Sequence, residues 1–571
     1  MKKIKYIVIA SLFGAFFTGC DDYLDINTNP DTSTTIIPEQ SLPIVVFYAA
    51  QENYDHAEYG NYLSQALTTG GKSQTGTYAY KSGWEFLTMN RHPQWRRHFY
   101  DIGINVRELI KASEKMESSN FELIARTIRL MSTQLTTDVF GDMPLTEAYT
   151  GTSPKYDTQE SIYAWMLQEA DALIADYDNP ALTQNPKNVQ ITPKMDRIFA
   201  GDLAKWKQFT IGLKARILLR KLPNWDNTPA TCQQIIKTVD AALNGWTEPI
   251  YKYDGGTAEA NCPWSKAQPS IGGWESRKNE LEKAIPSEYL YKTMFGGKER
   301  MGSTMLASAD DPRMESYLTA RVGPKESPVL LYRYLKNNIG MDVSYKESHY
   351  PDLYNDLTKN GNPYTKVDGY VSLMLTEELL FIKAEATYWS GDKAGAHQLT
   401  EEAVRKNMDR MRPVITGNPS GDDESKKLYD SQSTALRFFN KWEKRYFENA
   451  SLNEKYLPVN GFNIGHLMRQ KYVAMLYQPE LWNDMRRYCY SNDTNGITYD
   501  GVSIYKNLRR PYNLYEAYWM DGKEDWVQRL NYDPETEEKY NVAELKRLGA
   551  YKNFQWLKKP MIWAVNNGSH N

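Results

Sequence analysis

Residues 373–411 read LMLTEELLFIKAEATYWSGDKAGAHQLTEEAVRKNMDRM. Two stretches, 373–390 and 393–411, carry apolar residues at helical spacing, and Gly391-Asp392 separates them. Two helices joined by a two-residue turn containing glycine make an αα-hairpin. The same grammar recurs along the chain. Trp95, Phe99, Ile102, Val106 and Leu109 follow one another at spacings of 4, 3, 4 and 3, and Phe121, Ile124, Ile128, Met131 and Leu135 at 3, 4, 3 and 4. Both patterns place one apolar stripe along a helix. Further helices are predicted over 158–177 (Ile162, Met166, Leu173 and Tyr177 on one face), 201–222 (stopped by Pro223), 431–449 and 463–490. The fold class is therefore mostly α, built of paired helices.

Helix pairs of this size resemble tetratricopeptide (TPR) repeats, although the motif residues of that repeat are not clearly present. Two regions break the pattern. Residues 245–370 are rich in Gly, Pro, Ser, Asn and Tyr and show weak periodicity, as expected of a loop-rich insertion that carries function. They divide the helical scaffold into 44–244 and 371–571. Residues 21–43 are polar and turn-rich and read as a tether. Before them, Lys2, Lys3 and Lys5 precede an uncharged, mostly apolar run from Tyr6 to Phe17. That run is shorter than the roughly 20 residues a membrane span needs and reads as a signal peptide, residues 1–19. Thr18-Gly19-Cys20 follows, small residues before a cysteine, as in a lipobox. The expectation is a lipid on Cys20 and a lipidated tether over 20–43. The acyl chains, contributing about 0.8 kcal/mol per buried methylene, would then anchor the protein without a transmembrane helix.

Composition narrows the partners. Without Lys2, Lys3 and Lys5, 65 basic residues face 71 acidic ones, a formal net charge of −6. That balance argues against nucleic acid, which would want a basic face. Beyond Cys20 only Cys232, Cys262 and Cys489 remain, so at most one disulfide forms and the core must carry stability. The 15 Trp and 41 Tyr are an unusual aromatic load, suited both to cores and to sugar-binding surfaces.

Several segments together resemble the SusD/RagB family of outer-membrane nutrient-binding lipoproteins, particularly its SusD-like branch. Cys20-Asp-Asp-Tyr-Leu-Asp25 looks like the mature N-terminus of that family. Phe140-Gly-Asp-Met-Pro-Leu-Thr-Glu-Ala148, with Pro154 to Gln159 after it, is similar to its FGDxPxTEA segment. Gly201-Asp-Leu-Ala-Lys-Trp206 leading to Arg220 resembles its GDxxKW helix, and Glu378 to Ala386 its AEA helix. Glu480 to Arg487 and Arg529 to Glu535 resemble its C-terminal segments. The matches run in order along the whole chain, so 44–571 is expected to be one SusD-like domain. The resemblance implies about four TPR-like helix pairs with irregular ligand-binding insertions. It also implies a lipid-anchored, surface-exposed position on the outer membrane, and docking onto a SusC-like, TonB-dependent transporter.

The motif residues themselves read as structural. Asp142 and Glu147 are expected to cap or pair near helix ends, and Arg486 and Arg487 to pair with buried carboxylates. Nothing in the sequence calls for catalysis. The seven histidines show no zinc spacing, and His92 and His98 read as surface or interface residues. Gly70-Gly71-Lys72-Ser73 is no P-loop, because Ala66 stands where the first glycine is needed. Asp493-Thr-Asn495-Gly496, with Asp500, loosely suggests a calcium loop but lacks its full spacing and reads as a polar turn. No cofactor and no metal are expected.

The aromatic clusters point to the ligand. Tyr78, Tyr80 and Trp84 lie in the cluster that continues to Trp95 and Tyr100; Trp264 and Trp274 share another with Tyr251 and Tyr253; Tyr332 and Tyr334 belong to a third with Tyr345 and Tyr350. A ring on a loop is free of a helix stripe and can stack on the C–H face of a pyranose, while nearby polar groups bond its hydroxyls. Tyr78, Tyr80, Trp84, Trp264, Trp274, Tyr332 and Tyr334 are therefore the expected ligand-binding residues. The expected function is capture of oligosaccharides and their delivery to the transporter. A peptide ligand, as in the RagB branch, and a polysaccharide hydrolase are the alternatives.

Overall fold

The computed structural model describes residues 36–69, 83–87, 92–255, 260–265, 284–296, 310–317, 321–322, 330–331, 364, 368–412, 432–511, 514–519 and 524–566. Helix α1 (Pro38–Leu63) starts inside the expected tether. Pro38 stands in the first turn, where its missing N–H removes no helical bond. From Ala49 onward every residue of α1 is buried, polar ones included. Those polar groups are pinned by the elements around them. Asp55 takes Arg97 Nε at 2.8 Å, Glu52 takes Ser132 Oγ at 2.7 Å, Gln51 reaches Tyr253 Oη at 2.8 Å, and Asn53 reaches the Ser372 carbonyl at 3.1 Å. A helix buried on all sides has no apolar stripe, which is why periodicity did not reveal it.

The next predicted stripe, from Trp95, is one continuous helical rod. It begins as a short turn at Pro93–Arg96, widens to a π-helix over Arg97–Ile104 and continues as α2 (Asn105–Met116). Helices α3 (Ser119–Phe140), α4 (Gln159–Tyr177), α5 (Leu203–Leu219) and α6 (Pro229–Leu243) follow. Thr158, Asp202 and Thr228 cap α4, α5 and α6 with their side-chain oxygens. After α7 (Glu288–Phe295) comes the hairpin of α8 (Thr376–Trp389) and α9 (Lys393–Met411). Its turn is the one read from sequence: Gly391 adopts φ +99°, and Asp392 caps α9 through Gly395 N at 2.8 Å. Then come α10 (Gln432–Glu448), α11 (Ile464–Ala474) and α12 (Glu480–Arg487). The single helix expected over 463–490 is thus two. Pro479 precedes α12, and Tyr477 takes φ +68° in the turn between them.

The fold is mostly α, with the helices stacked in TPR-like pairs: α2 with α3, α4 with α5, and α8 with α9. Helix α6 packs against both α5 and α8, so the stack is continuous across the insertion. Its ends meet as an antiparallel pair of short strands, Ile250–Lys252 against Tyr370–Ser372.

Several motif segments meet in a buried ionic lattice. Arg216 of α5 pairs through Nε (2.6 Å) and Nη2 (2.8 Å) with Glu378 of α8. Arg220 Nη2 bridges Asp138 of α3 (2.7 Å) and Glu480 of α12 (2.8 Å). Arg487 grips both oxygens of Glu385 (2.6 and 2.8 Å) and reaches Asp484 (2.6 Å), while Lys471 closes on Asp484 at 3.0 Å. These groups are at most 5% exposed, so each charge depends on its partners. Arg486 departs from the expected carboxylate pairing. It donates to the Asp138 and Gln528 carbonyls and lies 3.6 Å from the Trp482 ring centre. The loosely calcium-like segment is held by cations: Asp493 binds Arg509, and Asp500 binds Lys393.

Candidate ligand-binding cavities

Of the seven rings expected to meet ligand, Tyr78, Tyr80, Trp274, Tyr332 and Tyr334 lie outside the described residues, as does Cys20. The other two are core residues and correct the expectation. Trp84 is 0% exposed, its ring edge-on to Trp519 (5.2 Å) and tilted against Trp526 (5.5 Å). Trp264 is 1% exposed, wedged between Tyr54 of α1 (4.7 Å) and Tyr477 (4.9 Å). A segment without a stripe of its own still needs an anchor, and one large ring in the scaffold provides it. His92 and His98 are also buried, not at the surface.

Open space lies instead where three distant segments converge: the π-helix, the loop 144–154 and residues 536–540. The Phe140–Ala148 motif builds the loop. Gly141 ends α3 at φ +86°, and Met143 bridges to Asp157. Asp157 accepts the Leu145 and Thr146 amides, each at 2.9 Å. Asp142 accepts Gln159 N at the start of α4 (2.9 Å), and Glu147 accepts Lys155 N (3.0 Å), so both act structurally, as read from sequence. Asn541 and Ser153 then tie the loop to the C-terminal segment, at 2.8 and 2.5 Å.

Tyr149 stands on this loop at φ +67°, a conformation unusual for a residue with a side chain. Its phenol lies against Gly103 of the π-helix. A Cβ on Gly103 would overlap the Tyr149 hydroxyl and sit 2.6 Å from the His98 carbonyl oxygen. The absent side chain thus makes room for the ring. Tyr149 forms a shared wall between two cavities of about 320 and 350 Å³. Both fall at the lower end of the roughly 300–1,000 Å³ that small-ligand sites occupy.

The larger cavity is aromatic. Trp95, Phe99, Tyr100, Tyr149 and Tyr540 line it together with Ile104, Thr536 and Glu537. Tyr100 is 41%, Ile104 43% and Tyr540 63% exposed, so apolar surface is presented to solvent at its mouth. Burial pushes the Glu537 carboxyl up, and Tyr156 donates to it. The smaller cavity sets cationic and hydroxyl groups in a largely apolar lining: His98, Arg107, Lys111, Arg129, Ser132 and Thr133 stand beside Ile102, Val106, Ile110 and Leu145. His98 Nδ1 is 2.7 Å from Ser132 Oγ, which is bonded in turn to Glu52. Burial, with the Arg129 charge adding to it, pushes the His98 imidazole down to about 3, so it is neutral. Burial pushes Glu52 up to about 8. Among the described residues no group of three or more His, Cys, Asp or Glu side chains is placed to hold a metal ion.

The sequence reading missed Tyr149 and Tyr540 and left Tyr100 out of its final set. The usable signals were the position of Tyr100 in the first aromatic cluster and that of Tyr149 directly after the Phe140–Ala148 motif.

A stack of paired helices with aromatic-walled cavities of small-ligand size defines a helical-repeat binding scaffold. A family model described as SusD-like, starch-binding associating with outer membrane, matches residues 31–505, and the chain belongs to that family. No curated protein matches it in sequence. Solved structures share its fold. A SusD/RagB family protein from Bacteroides thetaiotaomicron is 18% identical, with a TM-score of 0.62 over 93% of this chain and 100% of that one. A SusD homolog from Bacteroides fragilis is 16% identical, with a TM-score of 0.57 over 91% and 99%. A chitin-binding SusD homolog from Flavobacterium johnsoniae is 16% identical, with a TM-score of 0.56 over 93% and 98%. Among the described residues no helix is long and apolar enough to cross a membrane.

Proposed function

We propose that this protein captures oligosaccharides at the outer membrane and passes them to a SusC-like, TonB-dependent transporter. A lipid on Cys20 holds it there, with the helical body facing the medium. Membership of a family described as starch-binding and outer-membrane-associated carries this reading. The aromatic cavity supports it separately, because exposed tyrosine faces beside a carboxyl and a hydroxyl suit a sugar ring. Tyr78, Tyr80, Trp274, Tyr332 and Tyr334 stay in the proposal as a further stacking platform.

The test is calorimetric titration of the purified protein with a panel of neutral oligosaccharides. Stacking of an aromatic plane on a base contributes on the order of 1–3 kcal/mol, and a sugar face belongs at the lower end. Tyr100→Ala and Tyr540→Ala, made singly, should therefore each weaken binding by roughly 5- to 30-fold. Melting should be unchanged, since both rings are exposed. Wild-type protein that binds no glycan in the panel would refute the reading. For the partner, tagged protein purified from membranes in mild detergent should carry a β-barrel transporter identifiable by mass spectrometry. Recovery alone in several detergents would count against delivery.

A further inference from the structure

The two cavities that share Tyr149 differ in charge. Arg107, Lys111 and Arg129 line the smaller one. Glu108 lies beside two of them, 2.8 Å from Lys111 and 3.7 Å from Arg107, which leaves an excess of two positive charges among the described residues. Arg129 has no carboxylate within salt-bridge distance among the described residues and lies 5.0 Å from the Trp165 ring centre. On the same wall is Thr133, fully buried, with a hydroxyl that finds no hydrogen-bond partner. A half-buried guanidinium without a counter-ion among the described residues and an unsatisfied buried hydroxyl are both stabilised by an incoming polar anion.

We infer that this cavity is an acid subsite that takes the carboxylate of a hexuronic acid, with Arg129 as its anchor and Thr133 bonding a ring substituent. The planar guanidinium matches a carboxylate through two parallel hydrogen bonds, which a compact ammonium cannot do. Apolar atoms of Ile102, Val106 and Leu145 face the rest of the ring. Tyr149 then separates the acid unit from a neighbouring sugar in the aromatic cavity. The inference rests on the glycan-binding reading and narrows its ligand to an acidic glycan.

The test uses D-galacturonate, D-glucuronate, their methyl esters and acetate, titrated into the purified protein by ligand-observed NMR. Esterification removes the charge and keeps the ring. At least one free acid should bind; the esters and acetate should bind at least tenfold more weakly. Arg129→Gln should lose roughly tenfold or more of the affinity for that acid, as removal of a charge-assisted pair does, with Arg129→Lys recovering only part. Lys111→Gln, on the exposed rim, removes a cation without touching the core. It should lower affinity about twofold and flatten its salt dependence. Esters that bind as well as acids, or an Arg129→Gln protein that melts and binds like wild type, would overturn the inference. Acetate binding as well as the sugar acids would remove the sugar from it. If neutral oligosaccharides bind through Tyr100 and Tyr540 while charge confers no advantage, this inference fails and the glycan reading stands. If no sugar of either kind binds, both fall.

Discussion

Arg220→Met tests whether the buried ionic lattice is held by its cations. One nitrogen of Arg220 serves both Asp138 (2.7 Å) and Glu480 (2.8 Å), and all three side chains are buried. Removing one partner of a buried ion pair costs about 3–5 kcal/mol, because the other charge is left uncompensated. Two carboxylates lose their nearest cation here, Glu480 keeping Arg216 at 3.8 Å, so a loss within that range is expected. Against a typical folding stability of about 5–15 kcal/mol, the urea midpoint at pH 7, followed by tryptophan fluorescence, should drop far. The pH response should change sign as well. In the wild type, burial pushes the Glu480 carboxyl up, but Arg220 and Arg216 outweigh it and hold it at about 2, below the ordinary 4.5. A depressed carboxyl contributes stability that is fully present above about pH 4.5 and lost as pH falls toward 2. Without Arg220, burial outweighs the remaining pull of Arg216 at 3.8 Å, and Glu480 binds its proton more readily folded than unfolded. The variant should therefore gain stability as pH falls from 7 to 5, where the Glu480 contribution of the wild type is level. Arg220→Met combined with Glu480→Met should recover at least half of the loss, since Asp138 keeps Tyr163 and Gln134 as donors. A single variant within about 1 kcal/mol of wild type, or one that acid does not spare, would refute the reasoning, since an unpaired buried charge costs several times that.

Three further outcomes follow from the packing. Trp84→Ala and Trp264→Ala should each lower stability by about 3–5 kcal/mol in urea unfolding, as deletions of buried rings do, and a purely ligand-facing role would leave the midpoint unmoved. Gly103→Ala should displace Tyr149 from the π-helix and weaken glycan binding even though residue 103 contributes no side chain to contact ligand; unchanged affinity would show that Tyr149 is not a shared wall. Glu52→Gln should flatten a fall in stability between about pH 4.5 and 8, because burial raises this carboxyl to about 8 and the folded state therefore loses stability as pH climbs through that window. Identical urea midpoints for Glu52→Gln and wild type at pH 5 and pH 8 would contradict that burial.

How much of the molecule is legible before folding differs by element. Stripes at 3.6-residue spacing yielded α3, α4, α5, α8 and α9 within a few residues, because their apolar positions recur at helical spacing and are buried against neighbouring helices. The extent of α1 was not legible. Its buried polar groups are satisfied by Arg97, Ser132, Tyr253 and Ser372, and no local rule announces such distant partners. The break at Pro479 was missed because apolar residues continue through the turn, where Tyr477 and Leu476 are buried as fully as helix residues.

The candidate site shows the same division more sharply. Sequence alone determined the class: paired helices, an interrupting insertion, ordered family motifs and an aromatic load suited to sugars. It could not say which rings face ligand, because a ring on an irregular segment is chemically the same whether it anchors or stacks. Trp84 and Trp264 anchor, since Trp519, Trp526, Tyr54 and Tyr477 close over them. Tyr100, Tyr149 and Tyr540, spread over more than 400 residues, form one wall because the π-helix, the Asp157-pinned loop and the C-terminal segment meet there. Local pattern sets which surfaces must be buried; only the summed packing of distant segments decides which apolar faces remain for solvent and ligand.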